Sequence, residues 1–335
     1  MKKYITIILT LVLASCSKSS VTYDEPGTIG IRPVSEGMTK AAVGAIPEGQ
    51  DLLVYANYAE GQTAGTPYLN AAVFENKGSG IWIGKNETYF WPKSGKIKLA
   101  GCTALPSEIG TVAYSYDANT ISVPQYKQPL STAETVDFIW FNQTGAVNYD
   151  RTDDNLAVVM NHALTWVTIQ VKGFGGSEGW KVESIRLLDL YDKGSLICTT
   201  AGPEWSSLDK TSTDTDITVF QAPVNGASTA YFTLDNLAQD IENTPRGTVL
   251  IPQTPVQMEV KYHTTDTPTV GTLRTKVLDL QISENVADNF WEAGRHYIYT
   301  VTFNPYKISF TVSTDDTWEN NGSNVNDYVD SEIKP

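Results

Sequence analysis

Residues 256–262 read Val-Gln-Met-Glu-Val-Lys-Tyr, so apolar and polar side chains alternate along the whole stretch. Successive side chains of a β-strand point to opposite faces of its sheet, and this alternation is therefore typical of a half-buried strand. We expect Val256, Met258 and Val260 to face a hydrophobic core, while the side chains between them face solvent.

The same period of two recurs along most of the chain. The clearest sets are Leu52, Val54, Ala56 and Tyr58; Ala163, Thr165, Val167, Ile169 and Val171; Tyr297, Tyr299, Val301 and Phe303; and Ile308, Phe310 and Val312. Gly-rich and Ser-rich turn sequences separate these sets, and no stretch of a dozen residues has a 3.6-residue apolar period. Many short strands joined by turns predict an all-β fold built of β-sandwiches.

The length of 335 residues predicts two domains. A polar and charged run at residues 148–155, nearly free of aliphatic side chains, is the best candidate for the boundary between them. We expect an N-terminal β-sandwich over residues 41–152. A C-terminal β-sandwich, ending in a polar tail, is expected over residues 153–335.

The charge balance is strongly acidic. The chain has 24 basic and 38 acidic residues, for a net charge of -14, and 41% of its residues are hydrophobic. The hydrophobic content argues against disorder. The negative charge would repel phosphates and there is no basic run, so we expect no nucleic-acid partner.

Residues that carry catalytic or metal chemistry are few and scattered. The three histidines, at positions 162, 263 and 296, have no neighbour at metal-ligand spacing. The chain has neither a G-x-S-x-G elbow nor a phosphate-binding glycine loop. The run at residues 316–322 resembles a calcium loop only faintly, because two positions that need carboxylates hold Thr and Tyr. We therefore predict a protein that is not an enzyme and binds no metal and no cofactor.

Two cysteines, Cys102 and Cys198, lie 96 residues apart in the body of the chain. In an exported protein they could form a disulfide. The preferred interpretation is two small buried thiols.

The N-terminus has the pattern of an export signal. Two lysines follow Met1, an apolar run extends from Tyr4 to Leu13, and Ala14-Ser15-Cys16 comes next. The apolar run is too short to span a bilayer. Leu13 to Cys16 also resembles a bacterial lipobox, which implies cleavage after residue 15, a lipid on Cys16 and sorting to the outer membrane. The alternative is an ordinary signal peptide with a chance cysteine.

The eight tryptophans allow two interpretations. Most stand at strand positions or beside turns, as do Trp82, Trp91, Trp166 and Trp291, which favours packing in a core or at its rim. Exposed aromatic rings could instead form a platform for glycans on a surface lipoprotein. A surface hydrolase is a weaker alternative. Glycoside hydrolases use a pair of carboxylates, but among 38 acidic residues some pairs occur by chance and do not indicate such a site.

Several segments together resemble the fimbrillin family, the structural subunits of type V pili in Gram-negative anaerobes. These segments are Tyr89-Phe90-Trp91-Pro92 with the strand-like Gly95-Lys96-Ile97-Lys98-Leu99, then Asp137-Phe138-Ile139-Trp140-Phe141, then Met160-Asn161-His162-Ala163-Leu164-Thr165-Trp166-Val167, and finally Trp291-Glu292-Ala293-Gly294-Arg295-His296-Tyr297-Ile298-Tyr299. Ile308-Ser309-Phe310 and Trp318 follow. The resemblance covers roughly residues 29–318. Each segment alone is a weak signal, but together, in this order and behind a lipobox, the segments are fairly specific.

The resemblance implies two transthyretin-like β-sandwich domains in tandem, no catalysis and a route to a cell-surface filament. A lipoprotein precursor would reach the outer membrane, and a trypsin-like protease would then remove the first strand. A strand from another fimbrial subunit would fill the groove that this leaves, which is donor-strand exchange. The implied partners are therefore other subunits and, through the lipid on Cys16, the membrane. The surface ligand is not identified.

Residues 16–40 are expected to form the propeptide. A short strand-like piece at residues 28–32 would place Ile29 and Ile31 in the groove of the N-terminal domain. Lys40-Ala41 resembles the cleavage boundary of the family, with Lys in place of the usual Arg. Arg32 is the alternative cleavage position, although Pro33 after it hinders trypsin-like enzymes.

The C-terminal tail contains a candidate donor strand. Val325, Val329 and Ile333 share one parity, so they could lie on one face of a strand. Asp327 and Ser331 interrupt that face, and a solvated tail is the alternative.

Overall fold

The structure of the protein is a computed structural model, and it describes residues 27–34, 50–60, 65–76, 80–143, 145–146, 155–225, 228–241, 247–264, 272–283, 285–314 and 328–329. These residues form 25 β-strands and one 3-10 turn at Val286–Asp288, with no α-helix among them. The prediction of an all-β fold is confirmed. In the part of the chain that is described, no helix is long and apolar enough to cross a membrane.

The strands fall into two runs along the chain. The first run is β1 Gly30–Val34, β2 Leu52–Tyr58, β3 Pro67–Asn76, β4 Trp82–Gly84, β5 Ile97–Thr103, β6 Ala113–Ser115, β7 Thr120–Lys127, β8 Ile139–Asn142, β9 Asn155–Val159 and β10 Asn161–His162. The second run is β11 Thr165–Gly173, β12 Lys181–Leu188, β13 Lys193–Thr199, β14 Gly202–Asp209, β15 Ile217–Gln221, β16 Val224–Asn225, β17 Ser228–Thr229, β18 Phe232–Thr233, β19 Gln239–Asp240, β20 Thr248–Leu250, β21 Gln257–His263, β22 Leu273–Asp279, β23 His296–Asn304, β24 Lys307–Thr314 and β25 Tyr328–Val329.

Eight strands form the first sheet, in the order β10-β8-β5-β2-β3-β4-β1-β9. Its two end strands, β9 and β10, are separated in the chain only by Met160. One residue cannot span the width of a flat eight-stranded sheet, so the sheet curls until its ends lie close together. The inner face encloses the first core, to which every strand from β1 to β5, together with β8 and β9, contributes buried side chains.

A second sheet, in the order β14-β13-β7-β6, covers the outer face of the first. Alternation along β5 explains how one strand serves both faces: Ile97 and Leu99 enter the first core, whereas Ala100 and Cys102 enter a second core between the sheets. Tyr55 on β2 extends this contact outward by stacking on Tyr114 of β6, with ring centroids 4.8 Å apart.

Both cysteines of the described chain lie in the second core. Cys102 and Cys198 are completely buried free thiols. Burial raises the pKa of each thiol above its usual range, so both stay protonated and are poor nucleophiles. The interpretation of two buried thiols therefore fits the structure better than a disulfide.

Pairing between strands continues past the predicted domain boundary. Residues 147–154 lie outside the described residues, and the division at residue 152 stays a prediction. The strands that follow it return to the N-terminal part: β9 pairs with β1, β10 with β8, and β13 with β7. The β13–β14 hairpin thus packs on the first sheet although it follows β12 of the C-terminal part.

Two further sheets form a C-terminal sandwich. One sheet has the order β19-β11-β23-β24-β25, and β20 also pairs with β11. The other has the order β15-β12-β21-β22, and β18 also pairs with β12. A short β16–β17 hairpin lies apart from both. The third core lies between the two sheets and contains Met258 and Val260, which are fully buried, with Val256 packed at its margin. The predicted orientation of residues 256–262 is confirmed.

One glutamine joins the N-terminal and C-terminal parts at their junction. The Gln128 side chain donates from Nε2 to the carbonyl oxygen of Val249, at 2.9 Å. Its Oε1 accepts from the backbone nitrogen of Ile251, at 3.1 Å. Gln128 is almost completely buried. Removal of its side chain would leave buried backbone groups unpaired, which is costly.

Val260→Asp tests this placement. A carboxylate at this fully buried site would lie among the hydrophobic side chains of the third core, with the half-buried Lys276 opposite it on β22, so we expect the free energy of unfolding to fall by about 3 kcal/mol. Urea unfolding followed by circular dichroism measures the loss. Val286→Asp makes the same chemical change at a side chain that is 88% exposed, and it should change the stability little. Equal effects of the two substitutions would contradict the placement.

Candidate functional site

The first strand of the described residues, β1, lies inside the first sheet and not at its edge. β1 pairs with β4 in antiparallel orientation and with β9 in parallel orientation. Just before β1, the backbone nitrogen of Ile29 donates to the carbonyl oxygen of Tyr89, at 2.7 Å. The Trp91 nitrogen donates to the carbonyl oxygen of Gly27, at 2.9 Å. β1 is therefore held by backbone hydrogen bonds on both sides.

Two isoleucines, Ile29 just before β1 and Ile31 within it, fill the first core. Ile29 and Ile31 are 1% and 0% exposed. Ile31 lies opposite Trp82 on β4 and opposite Leu156 on β9, and both of these are also buried. Burial of two isoleucine side chains contributes on the order of 3–6 kcal/mol of hydrophobic free energy. We call the space that β1 occupies between β4 and β9 the slot.

Gly30 separates the two isoleucines, and its outer side is closely covered. A Cβ atom built on Gly30 would lie 2.1 Å from Oδ1 and 3.2 Å from Cγ of Asn155, and 3.4 Å from a methyl group of Ile81. Gly30 does not have a positive φ. A side chain at this position would therefore displace the end of the Asn155 side chain, whereas the backbone conformation of Gly30 would accept it.

Loss of β1 would change the N-terminal part in two ways. β4 and β9 would each have an unpaired edge, and the inner walls of the slot would expose apolar side chains such as Trp82 and Leu156. Unpaired strand edges and exposed apolar surface both favour pairing with another strand.

The other predicted site residues are placed only in part. Cys16, Lys40, Ala41, Val325 and Ile333 lie outside the described residues. Arg32 lies within β1, paired with Ala157, and its side chain is exposed. Val329 lies in β25, whose backbone pairs with β24 at Thr311 and so extends the edge of a C-terminal sheet.

The aromatic side chains are distributed as packing residues. Every tryptophan in the described part of the chain is buried or half-buried, and Trp318 lies outside it. Trp291 is completely buried, and its Nε1 donates to the hydroxyl of Tyr299 at 2.9 Å. The described residues thus contain no exposed row of tryptophans, and this favours core packing over a glycan platform.

The histidines also take part in local structural contacts. Nδ1 of His162 lies 2.6 Å from a carboxylate oxygen of Asp137, and Nε2 of His263 lies 3.0 Å from one of Glu183. His296 stacks on Trp166, with ring centroids 3.8 Å apart. Among the described residues, no group of three His, Cys, Asp or Glu side chains could hold a metal ion.

An open cavity of about 580 Å³ lies beside the junction of the N-terminal and C-terminal parts. Its most buried polar side chains are Gln128 and Asp192, and both already form hydrogen bonds with other groups of the protein. The Asp192 carboxylate accepts from the backbone nitrogen of Thr211, at 2.7 Å, and from its hydroxyl group. Gln128 bonds the backbone of residues 249 and 251. Neither of these groups is available for a ligand.

Sequence reasoning identified the strand but not the walls of its slot. Leu156 and Val158 alternate with polar or small neighbours directly after the polar run, which is the signal for β9. That signal does not reveal a parallel partner more than 120 residues earlier in the chain. The position of Asn155 above Gly30 has no signal in the sequence.

Ile31→Ala tests the contribution of β1 to the stability of the full-length chain. The substitution removes buried methyl groups between Trp82 and Leu156, so we expect a loss of about 2–5 kcal/mol in the free energy of unfolding. Arg32→Ala changes the exposed neighbour in the same strand and should cost less than about 0.5 kcal/mol. Chemical denaturation of both variants measures the difference, and similar losses would show that the strand does not fill the core.

Comparisons with known proteins agree with this fold. A candidate cell adhesion protein from Bacteroides uniformis has a TM-score of 0.54 and 14% identity over 87% of this chain and 99% of that chain. A second one, from Bacteroides ovatus, has a TM-score of 0.53 and 17% identity over 87% and 96%. No curated protein matches the chain. A model of the Fimbrillin-like family matches residues 39–327, which is most of the chain. The chain therefore belongs to the fimbrillin-like family.

Proposed function

We propose that the protein is a structural subunit of a cell-surface fimbrium and polymerises by donor-strand exchange. Membership of the fimbrillin-like family supports the role of fimbrial subunit. The observation that carries the mechanism is the position of β1, which is an interior strand of the first sheet although it comes first in the folded chain. A strand placed in this way can be removed from one end of the chain without unthreading the rest.

Removal of β1 would convert a stable precursor into a subunit that needs a partner. A strand from another subunit would pair with β4 and β9 and would bury its apolar side chains where Ile29 and Ile31 lay. The donor strand and the slot are different surfaces of the subunit. The contact is therefore heterologous, and it propagates into a filament.

The cleavage position that fits this mechanism is Lys40-Ala41. It follows β1 and precedes β2, so a cut there detaches β1 from everything that remains. Arg32 is a poorer position because its backbone is paired within the sheet, and Pro33 follows it. A protease binds its substrate as a separate extended segment, and a strand inside a sheet does not offer one.

The precursor would be held at the outer membrane by a lipid on Cys16, and the mature subunit would lie in fimbriae at the cell surface. In this role the protein is not an enzyme, and it needs neither metal nor cofactor. Its partners are other fimbrial subunits. The donor strand of this chain would be its C-terminal tail, with Val325, Val329 and Ile333 on one face. Pairing of β25 with β24 supports the ability of this tail to form a strand.

Limited trypsin treatment of the purified precursor tests the cleavage. We expect a new N-terminus at Ala41, followed by the appearance of oligomers or filaments by electron microscopy. Lys40→Gln removes the cleavage position without changing β1, and this variant should stay monomeric under the same treatment. A precursor that is cut at Lys40, releases residues 16–40 and still remains monomeric would contradict the mechanism.

Cys16→Ala tests the anchoring step. A bacterial lipoprotein carries several acyl chains, which together give firm membrane binding. We expect metabolic labelling with a fatty-acid analogue to mark the precursor, and the variant to carry no label and to leave the membrane fraction. Cys102→Ala is the matched control, because that thiol is buried and should not be acylated. Equal labelling of the Cys16 variant and the parent would show that Cys16 is not the lipidation site.

A further inference from the structure

We propose that the free edge of β22 binds the C-terminal tail, residues 323–335, of a second copy of this chain. This inference goes beyond the proposed function. β22 belongs to the C-terminal sandwich and is complete while β1 still fills the slot, so the contact requires neither cleavage nor strand exchange. In the uncut full-length chain the slot is closed to a tail, whereas the edge of β22 is open to one.

β22 is a long and regular edge strand. It ends the sheet β15-β12-β21-β22, and no described strand pairs with its other side. Its seven residues pair with β21 without a register shift, and they include neither proline nor glycine. By contrast, the edge strand β14 contains Pro203 and pairs irregularly, and β15 is bridged from Thr218 to Ser131. A regular edge offers an incoming strand a row of unpaired backbone groups.

The side chains of β22 give this edge two chemically different faces. On the outer face, Leu273 and Val277 are 47% and 42% exposed. On the face toward the third core, the exposed Arg274 and the half-buried Lys276 precede the buried Leu278. The edge therefore presents apolar side chains on one face and two cations on the other, in a chain with a net charge of -14.

The two cations define the charge of the partner strand. Among the described residues, no carboxylate forms an ion pair with Arg274 or Lys276. The Asp279 carboxylate, on the same strand, accepts from the Gln257 side chain at 2.7 Å. Full antiparallel pairing of two β22 strands would set Lys276 of one copy opposite Lys276 of the other, which is unfavourable. The edge therefore disfavours its own copy and favours an acidic strand.

The tail of the chain has the complementary pattern. Antiparallel pairing with Val329 opposite Val277 matches the two strands rung by rung. The matched rungs are the apolar pairs Leu273–Ile333, Val277–Val329 and Leu278–Tyr328, the charged pairs Arg274–Glu332 and Lys276–Asp330, and the polar pair Thr275–Ser331. At the remaining rung, Asp279 lies opposite Asp327. Apolar, opposite-charge and hydroxyl pairs across a ladder each stabilise it.

This edge also accommodates the residue that interrupts the apolar face of the tail. Ser331 would be buried among apolar side chains in the slot, but on β22 it lies opposite Thr275, which is exposed. In its own chain the tail pairs with β24 through two rungs, at Thr311 and Val312, so its own copy leaves β22 open. The tail and the edge are different surfaces, and the contact is therefore heterologous.

A fluorescent peptide of residues 323–335, added to the uncut chain, tests the contact. We expect it to bind the parent, and to bind a variant with Arg274→Glu and Lys276→Glu about tenfold less well. The matched control carries Lys93→Glu and Lys127→Glu, which make the same change in net charge at exposed positions of the N-terminal part. It should bind the peptide as the parent does.

A peptide with Asp330→Lys and Glu332→Lys should show the reverse preference. We expect it to bind the Arg274→Glu, Lys276→Glu variant about tenfold better than the parent, which also shows that the variant is folded. Amide hydrogen exchange then locates the parent peptide. Exchange should slow along β22, and it should be unchanged in β4 and β9, because β1 still occupies the slot.

Sedimentation velocity of uncut chains tests whether the tail acts on a second copy. We expect the parent to associate as its concentration rises. The variant with the reversed edge and a chain with Asp330→Lys and Glu332→Lys should each associate about tenfold less well. An equimolar mixture of the two should regain association, because the reversed tail then meets the reversed edge and the parent tail meets the parent edge.

Equal binding of the tail peptide to the parent and to the reversed edge, or protection away from β22, would overturn the proposal. A parent that stays monomeric, or a mixture that associates no better than its components, would show that the tail does not join two copies, and would overturn it as well. These failures are distinct from failure of the proposed function, because every chain in these experiments keeps β1 in its slot.

Discussion

The pairing of β1 with strands on both of its sides is the constraint on which the N-terminal part depends. An edge strand can leave a sheet and expose one row of backbone groups, but β1 joins β4 to β9 and would expose two. It also carries Ile29 and Ile31, which close the first core between those strands. The same segment therefore completes both the sheet and the core, and a strand that replaced β1 would have to do both.

In the proposed filament, packing and not charge would have to hold the subunits together. Two copies of a chain with a net charge of -14 repel each other, and screening at physiological salt weakens this repulsion without removing it. A joint between such copies would therefore have to rely on a completed sheet and on buried side chains, which charge repulsion does not weaken directly. Within the chain itself, the second sheet joins the N-terminal part to the C-terminal part. β13 pairs with β7, and Gln128 binds the backbone of β20 and of Ile251, so strand pairing and buried hydrogen bonds join the N-terminal and C-terminal parts.

The sequence predicts what is local and misses what is distant. The alternation of apolar and polar residues predicted that Met258 and Val260 lie in a core and that residues 28–32 form a strand. A few consecutive residues are enough to show this alternation, because successive side chains of a strand point to opposite faces. It did not predict that β9 lies beside β1 or that the β13–β14 hairpin packs on the first sheet. Those pairings join residues 66 to 125 positions apart, and they depend on which apolar faces fit together. The contact of Asn155 with Gly30 is of the same kind, since it exists only after β9 has paired.

If β1 is removed as proposed, it must be stable before the cut and removable after it, and its covalent connection to β2 would meet both needs. Before the cut, β1 and β2 belong to one chain, so β1 would be present at an effective concentration on the order of millimolar and would rebind after each opening. A cut between the two strands would end this tethering without changing the contacts of β1 within the sheet. Once dissociated, the strand would be diluted, and a donor strand attached to a neighbouring subunit would compete with it at high local concentration. The proposed switch would thus require no change in the slot itself, only the loss of one covalent connection between β1 and β2.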